Sequence, residues 1–79
     1  MGGIPKPRPC FLDEKIKSHI DTGRQVYKNQ KGNRYYTWDS LHGEIEVFDK
    51  RGVHLGVFPP SGPPPIKEAV IGRKIAKPN

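Results

Sequence analysis

Cysteine is nearly absent: Cys10 is the only thiol in 79 residues. One thiol excludes an intramolecular disulfide framework and a cysteine-based zinc finger, so the chain has to hold its shape without covalent staples. Long hydrophobic runs are missing as well, and no stretch approaches the roughly 20 apolar residues that a membrane helix needs. Residues 1–6, Met-Gly-Gly-Ile-Pro-Lys, lack the apolar centre of a signal peptide. No membrane segment and no export address are therefore expected in this chain. The glycines fall at predicted turns and form no phosphate-cradling loop of the Walker or dinucleotide type, so no nucleotide cofactor is implied. Acidic residues are few, eight Asp and Glu against fourteen Lys and Arg. The resulting net charge of +6 favours a phosphate-rich partner or an acidic protein.

What the chain has in plenty is proline and glycine, nine of each, with only 33% hydrophobic residues. That balance points to short strands and ordered loops rather than a helical bundle. A chain of this size makes one domain and buries only about 60% of the surface its unfolded form exposes, so the core is expected to be thin. In residues 1–10, Pro5, Pro7 and Pro9 alternate with Lys6 and Arg8, the pattern of an extended arm. Residues 11–79 then form the single domain.

Leu12, Ile16 and Ile20 recur every four residues, Asp13 and Glu14 come early, His19 comes late, and Gly23 follows. This spacing predicts a short helix with a glycine stop. From Arg24 the pattern turns to strands, with runs at 24–27, 34–38, 44–48 and 53–58 and a turn at 29–33. The expected fold class is α+β, mostly β: a small twisted antiparallel sheet of about four strands with a short N-terminal helix.

Asp49-Lys50-Arg51-Gly52 reads as a three-residue hairpin loop closed by a left-handed glycine. Asp49 would then pair with Val53, Val47 with Leu55 and Ile45 with Val57, which gathers the apolar side chains on one face. If 39–43 is the preceding loop, Trp38 opposes Glu44 and Tyr36 opposes Glu46. The second face then shows Tyr36, Trp38, Glu44, Glu46, Phe48 and His54 together. The prolines of 59–65 predict a stiff loop, and 70–75 is expected to return as an edge strand or lie over the sheet, with 76–79 fraying.

The segment 35–46, Tyr-Tyr-Thr-Trp-Asp-Ser-Leu-His-Gly-Glu-Ile-Glu, concentrates acid–base groups around one turn of a basic chain. Cleaving RNA without a metal takes a base for the 2′-hydroxyl proton, an acid for the departing 5′-oxygen and a cation for the charge growing on phosphorus. Glu46, His42 and Arg73 or a lysine can fill these posts, with Asp39 orienting the imidazole from within the same turn. Lys31, Arg34 and Lys74, together with Trp38 and His54, are candidate substrate contacts. Asp39, His42, His54 and Glu46 show no recognised metal-ligand spacing, and no metal is expected.

The run from Tyr36 to Glu46, followed by Gly52-Val53-His54-Leu55-Gly56-Val57-Phe58, closely resembles the C-terminal cytotoxic ribonuclease domain of the E-type colicins. The likeness spans roughly Gly23 to Lys77, and Gly3-Ile4-Pro5-Lys6 looks like the family's linker. The resemblance implies a metal-independent endoribonuclease toxin that cuts 16S ribosomal RNA once at the decoding site of the small subunit and stops translation. It also implies an acidic immunity protein as partner and action in the cytoplasm of a bacterial target cell, after delivery as part of a larger secreted toxin. Carried over by position, the family's catalytic residues fall on Asp39, His42, Glu46, Arg73 and Tyr36, and a further family histidine falls on His54. The hairpin after Phe48 is one residue shorter than in the colicins, Leu41 stands where they have a polar residue, and residues 10–22 have no evident counterpart. The main rival reading is a non-catalytic RNA-binding module that stacks bases on Tyr35, Tyr36, Trp38 and Phe48. A third is an interaction domain whose basic face recognises only an acidic protein.

Overall fold

Six short strands follow one another along the chain, and each pairs antiparallel with the next: β1 (Ile16–Asp21), β2 (Arg24–Lys28), β3 (Arg34–Asp39), β4 (Glu44–Asp49), β5 (His54–Phe58) and β6 (Lys67–Glu68). The computed structural model describes residues 3–75. The class is mostly β, as expected, but the sheet has six strands rather than four. The only helical element among the described residues is a single 3-10 turn, Phe11–Glu14.

The helix predicted over Leu12, Ile16 and Ile20 is therefore not formed. Leu12 is sealed in the core at 1% exposure, whereas Ile16 and Ile20 are 43% and 61% exposed. Their four-residue spacing does not mark a buried stripe. Ile16 begins an edge strand whose backbone bonds to β2, with an irregularity between Lys17 and His19. Gly23 ends no helix but shares a two-residue hairpin loop with Thr22, and both have positive φ, 54° and 75°. Two left-handed residues are what a right-twisted hairpin asks for, and threonine in that position disguised it.

The sheet is covered on both faces, and the covers come from the two ends of the chain. One face buries Tyr36, Ile45 and Val47 under Cys10 and Leu12, with Phe11, Tyr27, Trp38 and Phe58 around them. Phe11 meets the rings of Tyr36 and Phe58 edge-on at 5.3 and 5.5 Å, and its N–H donates to the Pro60 carbonyl at 2.7 Å. The other face buries Val26, Tyr35 and Phe48 beneath Ile75.

Turn chemistry follows the sequence closely. Asn29 Oδ1 accepts the N–H groups of Asn33 and Arg34 at 3.0 and 3.1 Å, and Asp49 Oδ1 accepts those of Arg51 and Val53 at 2.8 and 2.9 Å. Gly52 has φ +83°, and a Cβ there would run into the Ile75 carbonyl, so the loop needs glycine for conformation and for space.

Beyond these turns, two register expectations fail by one residue each. Asp49 bonds to Val53 and Phe48 pairs with His54, but a bulge at Leu55 then makes Val47 pair with Gly56 and Ile45 with Phe58. Leu55 is turned outward as a result. At the other end of β4, Asp39 pairs with Glu44, so Trp38 lies opposite Ile45 and Tyr36 opposite Val47. A one-residue slip exchanges the faces of a strand. Tyr36 and Trp38 thus belong to the apolar face, and Tyr35, Thr37 and Asp39 stand with Glu46 and Phe48.

After β5 the proline-rich loop leads into β6, a two-residue edge strand that was not anticipated. Residues 70–75 lie beside the start of β5: the Arg73 carbonyl accepts from His54 N–H at 3.1 Å and Val53 bridges to Lys74. The expected fraying of 76–79 falls outside the described residues.

Candidate active site

The register just described sets the polar face of β3 and β4 at the floor of an open pocket of about 440 Å³. Thr37, Asp39, Glu46 and Phe48 line it from the sheet, Leu41 and His42 from the β3–β4 loop, and Arg73, Lys74 and Ile75 from the C-terminal segment. Asp21, Thr22 and Arg24 at the β1–β2 hairpin form the remaining wall.

The loop of 40–43 is built around Asp39. Its Oδ1 accepts the N–H groups of Leu41 and His42 at 3.0 and 3.2 Å, while Oδ2 accepts from His42 Nδ1 at 2.8 Å. Partial burial pushes the Asp39 carboxyl up, but the bonds from the His42 imidazole and the two amides together outweigh it. The group sits below the usual carboxylate value. With Nδ1 committed to Asp39, Nε2 is the imidazole position left for proton exchange with a substrate. His42 itself is exposed.

Glu46 is buried in mid-strand and takes two basic partners on one oxygen. Arg73 Nη1 donates to Oε1 at 2.7 Å, and His54 Nε2 lies 2.7 Å from the same atom. The histidine contact is close in distance but bent in angle, so its ring nitrogen is poorly aligned for a hydrogen bond. Val70 N–H donates to His54 Nδ1 at 2.8 Å, which makes Nδ1 an acceptor and assigns the proton of a neutral ring to Nε2. His54 is fully enclosed, with Phe48 edge-on at 5.3 Å, and stands behind Glu46 rather than in the open pocket. Arg73 is half exposed.

Of the residues singled out from sequence, Asp39, His42, Glu46, Arg73 and Lys74 share this pocket. Tyr36 does not line it: its ring packs on Phe11 and Phe58 on the opposite face, and burial raises its phenol above the ordinary value despite Arg34 nearby. Trp38 shares that face and gives its indole N–H to the Ile4 carbonyl at 2.8 Å. Lys31 and Arg34 are exposed near the β2–β3 turn, away from the pocket lining. Sequence reasoning missed Thr37, Asp21, Thr22 and Arg24. The alternation signal for Thr37 was present but read one residue out of step, and the hairpin of Asp21 and Arg24 was hidden under the expected helix.

Asp39, His42 and Glu44 each bring a ligand atom within 4.8 Å of one another, a set able to hold a cation. It differs from the metal set weighed in the sequence, because Glu44 replaces Glu46 and His54. The Glu44 carboxylate there is paired with Lys67 Nζ at 2.9 Å, and Asp39 with His42, so a cation would have to displace both contacts.

A basic six-stranded sheet with an imidazole, three carboxylates and two guanidinium groups around one open pocket defines a small domain equipped for acid–base work on an anionic substrate. The chain belongs to the Cytotoxic family, the cytotoxic domain of the 16S rRNA-cleaving E-type colicins, whose family model matches residues 11–76. It is a colicin-type toxin domain of the nuclease kind. No curated protein matches the chain. Among the described residues no helix is long and apolar enough to cross a membrane.

Proposed function

We propose that this domain is a metal-independent endoribonuclease that cuts 16S ribosomal RNA at the decoding site and thereby blocks translation. The observation that carries the proposal is the gathering of Asp39, His42, Glu46 and Arg73 around one open pocket in a chain of this family. Glu46 takes the proton of a ribose 2′-hydroxyl, and the freed oxygen attacks the adjacent phosphorus. Arg73 moves from Glu46 to the phosphorane-like oxygens as charge builds there. His42, oriented by Asp39, gives its proton to the departing 5′-oxygen. The products are a 2′,3′-cyclic phosphate and a 5′-hydroxyl, and proton and bond counts balance without a further reactant. Lys74 and Arg24 on the pocket walls hold neighbouring phosphates.

The basic surface and the family together support the ribosomal small subunit as target and an acidic immunity protein as inhibitor, with action in the cytoplasm of the target cell. A purely RNA-stacking module is disfavoured, because Tyr35, Tyr36 and Phe48 are buried, and the partly buried Trp38 gives its indole N–H to Ile4 on the face away from the pocket. Incubating ribosomes with the chain in EDTA tests the proposal. A single 3′ fragment of 16S RNA with a 5′-hydroxyl end is expected, and intact RNA from a folded sample would refute it.

A further inference from the structure

The segment preceding the family match reaches back to the loop that carries His42. Ile4 N–H donates to the Ser40 carbonyl at 2.6 Å, and the Ile4 carbonyl accepts the Trp38 indole N–H at 2.8 Å. Ile4 is thereby tied on both sides of Asp39. Its side chain also lies over Gly43, where an added Cβ would come within 3.0 Å of Ile4 Cδ1. Farther along the arm, Lys6 Nζ donates to Tyr27 Oη at 2.9 Å and sits 4.8 Å over the ring, which keeps the arm against the sheet.

The loop needs such support. Leu41 and His42 are exposed, and the internal bonds described for 40–43 all converge on Asp39: its side chain accepts from Leu41 and His42, and its carbonyl accepts from Gly43 N–H at 2.8 Å. A short exposed loop of this kind opens at low cost. An imidazole that must meet a leaving oxygen tolerates little displacement.

We infer that residues 3–6 are a positioning strap for the His42 loop. The strap touches no substrate; it acts by holding the loop in its reactive shape. Activity then depends on a segment outside the family-matched region. The consequence for cutting rests on the ribonuclease reading above, whereas the geometry does not.

The test uses the full chain with Ile4→Pro, which removes both the N–H given to Ser40 and the side chain over Gly43, and with Ile4→Val as the conservative variant. Amide hydrogen exchange is followed at Leu41, His42 and Gly43, beside single-turnover cleavage. Ile4→Pro is expected to speed exchange at these three amides and not at Arg34, and to slow the chemical step about tenfold or more while KM is kept. Ile4→Val is expected to retain both properties. Unchanged exchange in Ile4→Pro overturns the strap, and so does faster exchange with an unchanged rate. A parent chain that cuts no RNA overturns the ribonuclease reading, and exchange alone then decides for or against the strap.

Discussion

Thr37 of β3 stands directly opposite Glu46 of β4, and this one pairing decides which side chains share the pocket. It sends Tyr36 to the apolar face and brings a buried hydroxyl beside the proposed base. Thr37 is 1% exposed and its Oγ1 has no hydrogen-bond partner among the described residues. A buried hydroxyl left unpaired costs about 1–3 kcal/mol. Thr37→Val is therefore expected to leave thermal stability unchanged or raise it, which a melting curve checks. A marked loss of stability would mean that the hydroxyl is satisfied.

Glu46→Gln keeps the shape of the side chain and removes its basicity. The rate of the cleavage step is expected to fall by ~10²- to 10⁴-fold, the usual contribution of a positioned proton-transfer group, with RNA binding retained. Tyr36→Phe, by contrast, alters a side chain on the other face and is expected to leave that rate unchanged. Single-turnover kinetics on the two variants separate the faces functionally.

Asp39 provides a pH signature. Its carboxyl is held below the usual value because the groups bonded to it favour the ionised form. A depressed carboxyl stabilises the fold above its unfolded value, about 3.9, and that contribution is lost as pH falls through the folded value. Asp39→Asn is expected to lower stability in the neutral region and to converge on the parent as pH falls, which flattens the acid limb of the stability curve. Thermal unfolding across pH 2–7 measures the difference.

Binding should report the basic surface. If Arg24, Arg73 and Lys74 contact phosphates, affinity for RNA falls as salt rises, because each neutralised phosphate releases counterions. Replacing one of these three residues with alanine is expected to reduce the magnitude of the salt slope by roughly 0.7 to 0.9. Titrations of an inactive Glu46→Gln chain at several salt concentrations give the slope.

The segment predicted as a helix offers a contrast in stability. Leu12→Ala removes a fully buried side chain and is expected to cost about 2–5 kcal/mol. Ile20→Ser changes an exposed edge-strand residue and is expected to shift stability by no more than about 0.5 kcal/mol. A large effect at Ile20 would restore the helical reading of 12–20.

These cases also locate what the sequence made legible. Asn29, Asp49 and Gly52 announced their turns because the side-chain bonds and left-handed backbone involved are local properties of those residue types. The spacing of Asp39, His42 and Glu46 was readable for the same reason, since one turn and the following strand carry all three. Register was not local: whether the β3–β4 loop leaves Asp39 paired or unpaired depends on packing of both sheet faces, and the bulge at Leu55 leaves no local mark. The strand at 16–21 was hidden because two exposed isoleucines happened to sit four apart. Arg73 could be named from the family likeness, but its bond to Glu46 spans 27 residues and required the folded chain.

The most direct test sets the parent chain beside His42→Ala and Glu46→Ala on intact ribosomes in EDTA, with each variant first shown to be folded and to bind RNA. The expected result is one 16S fragment from the parent and none from either variant. Undiminished cutting by either alanine variant would contradict the assignment of acid and base to this pocket.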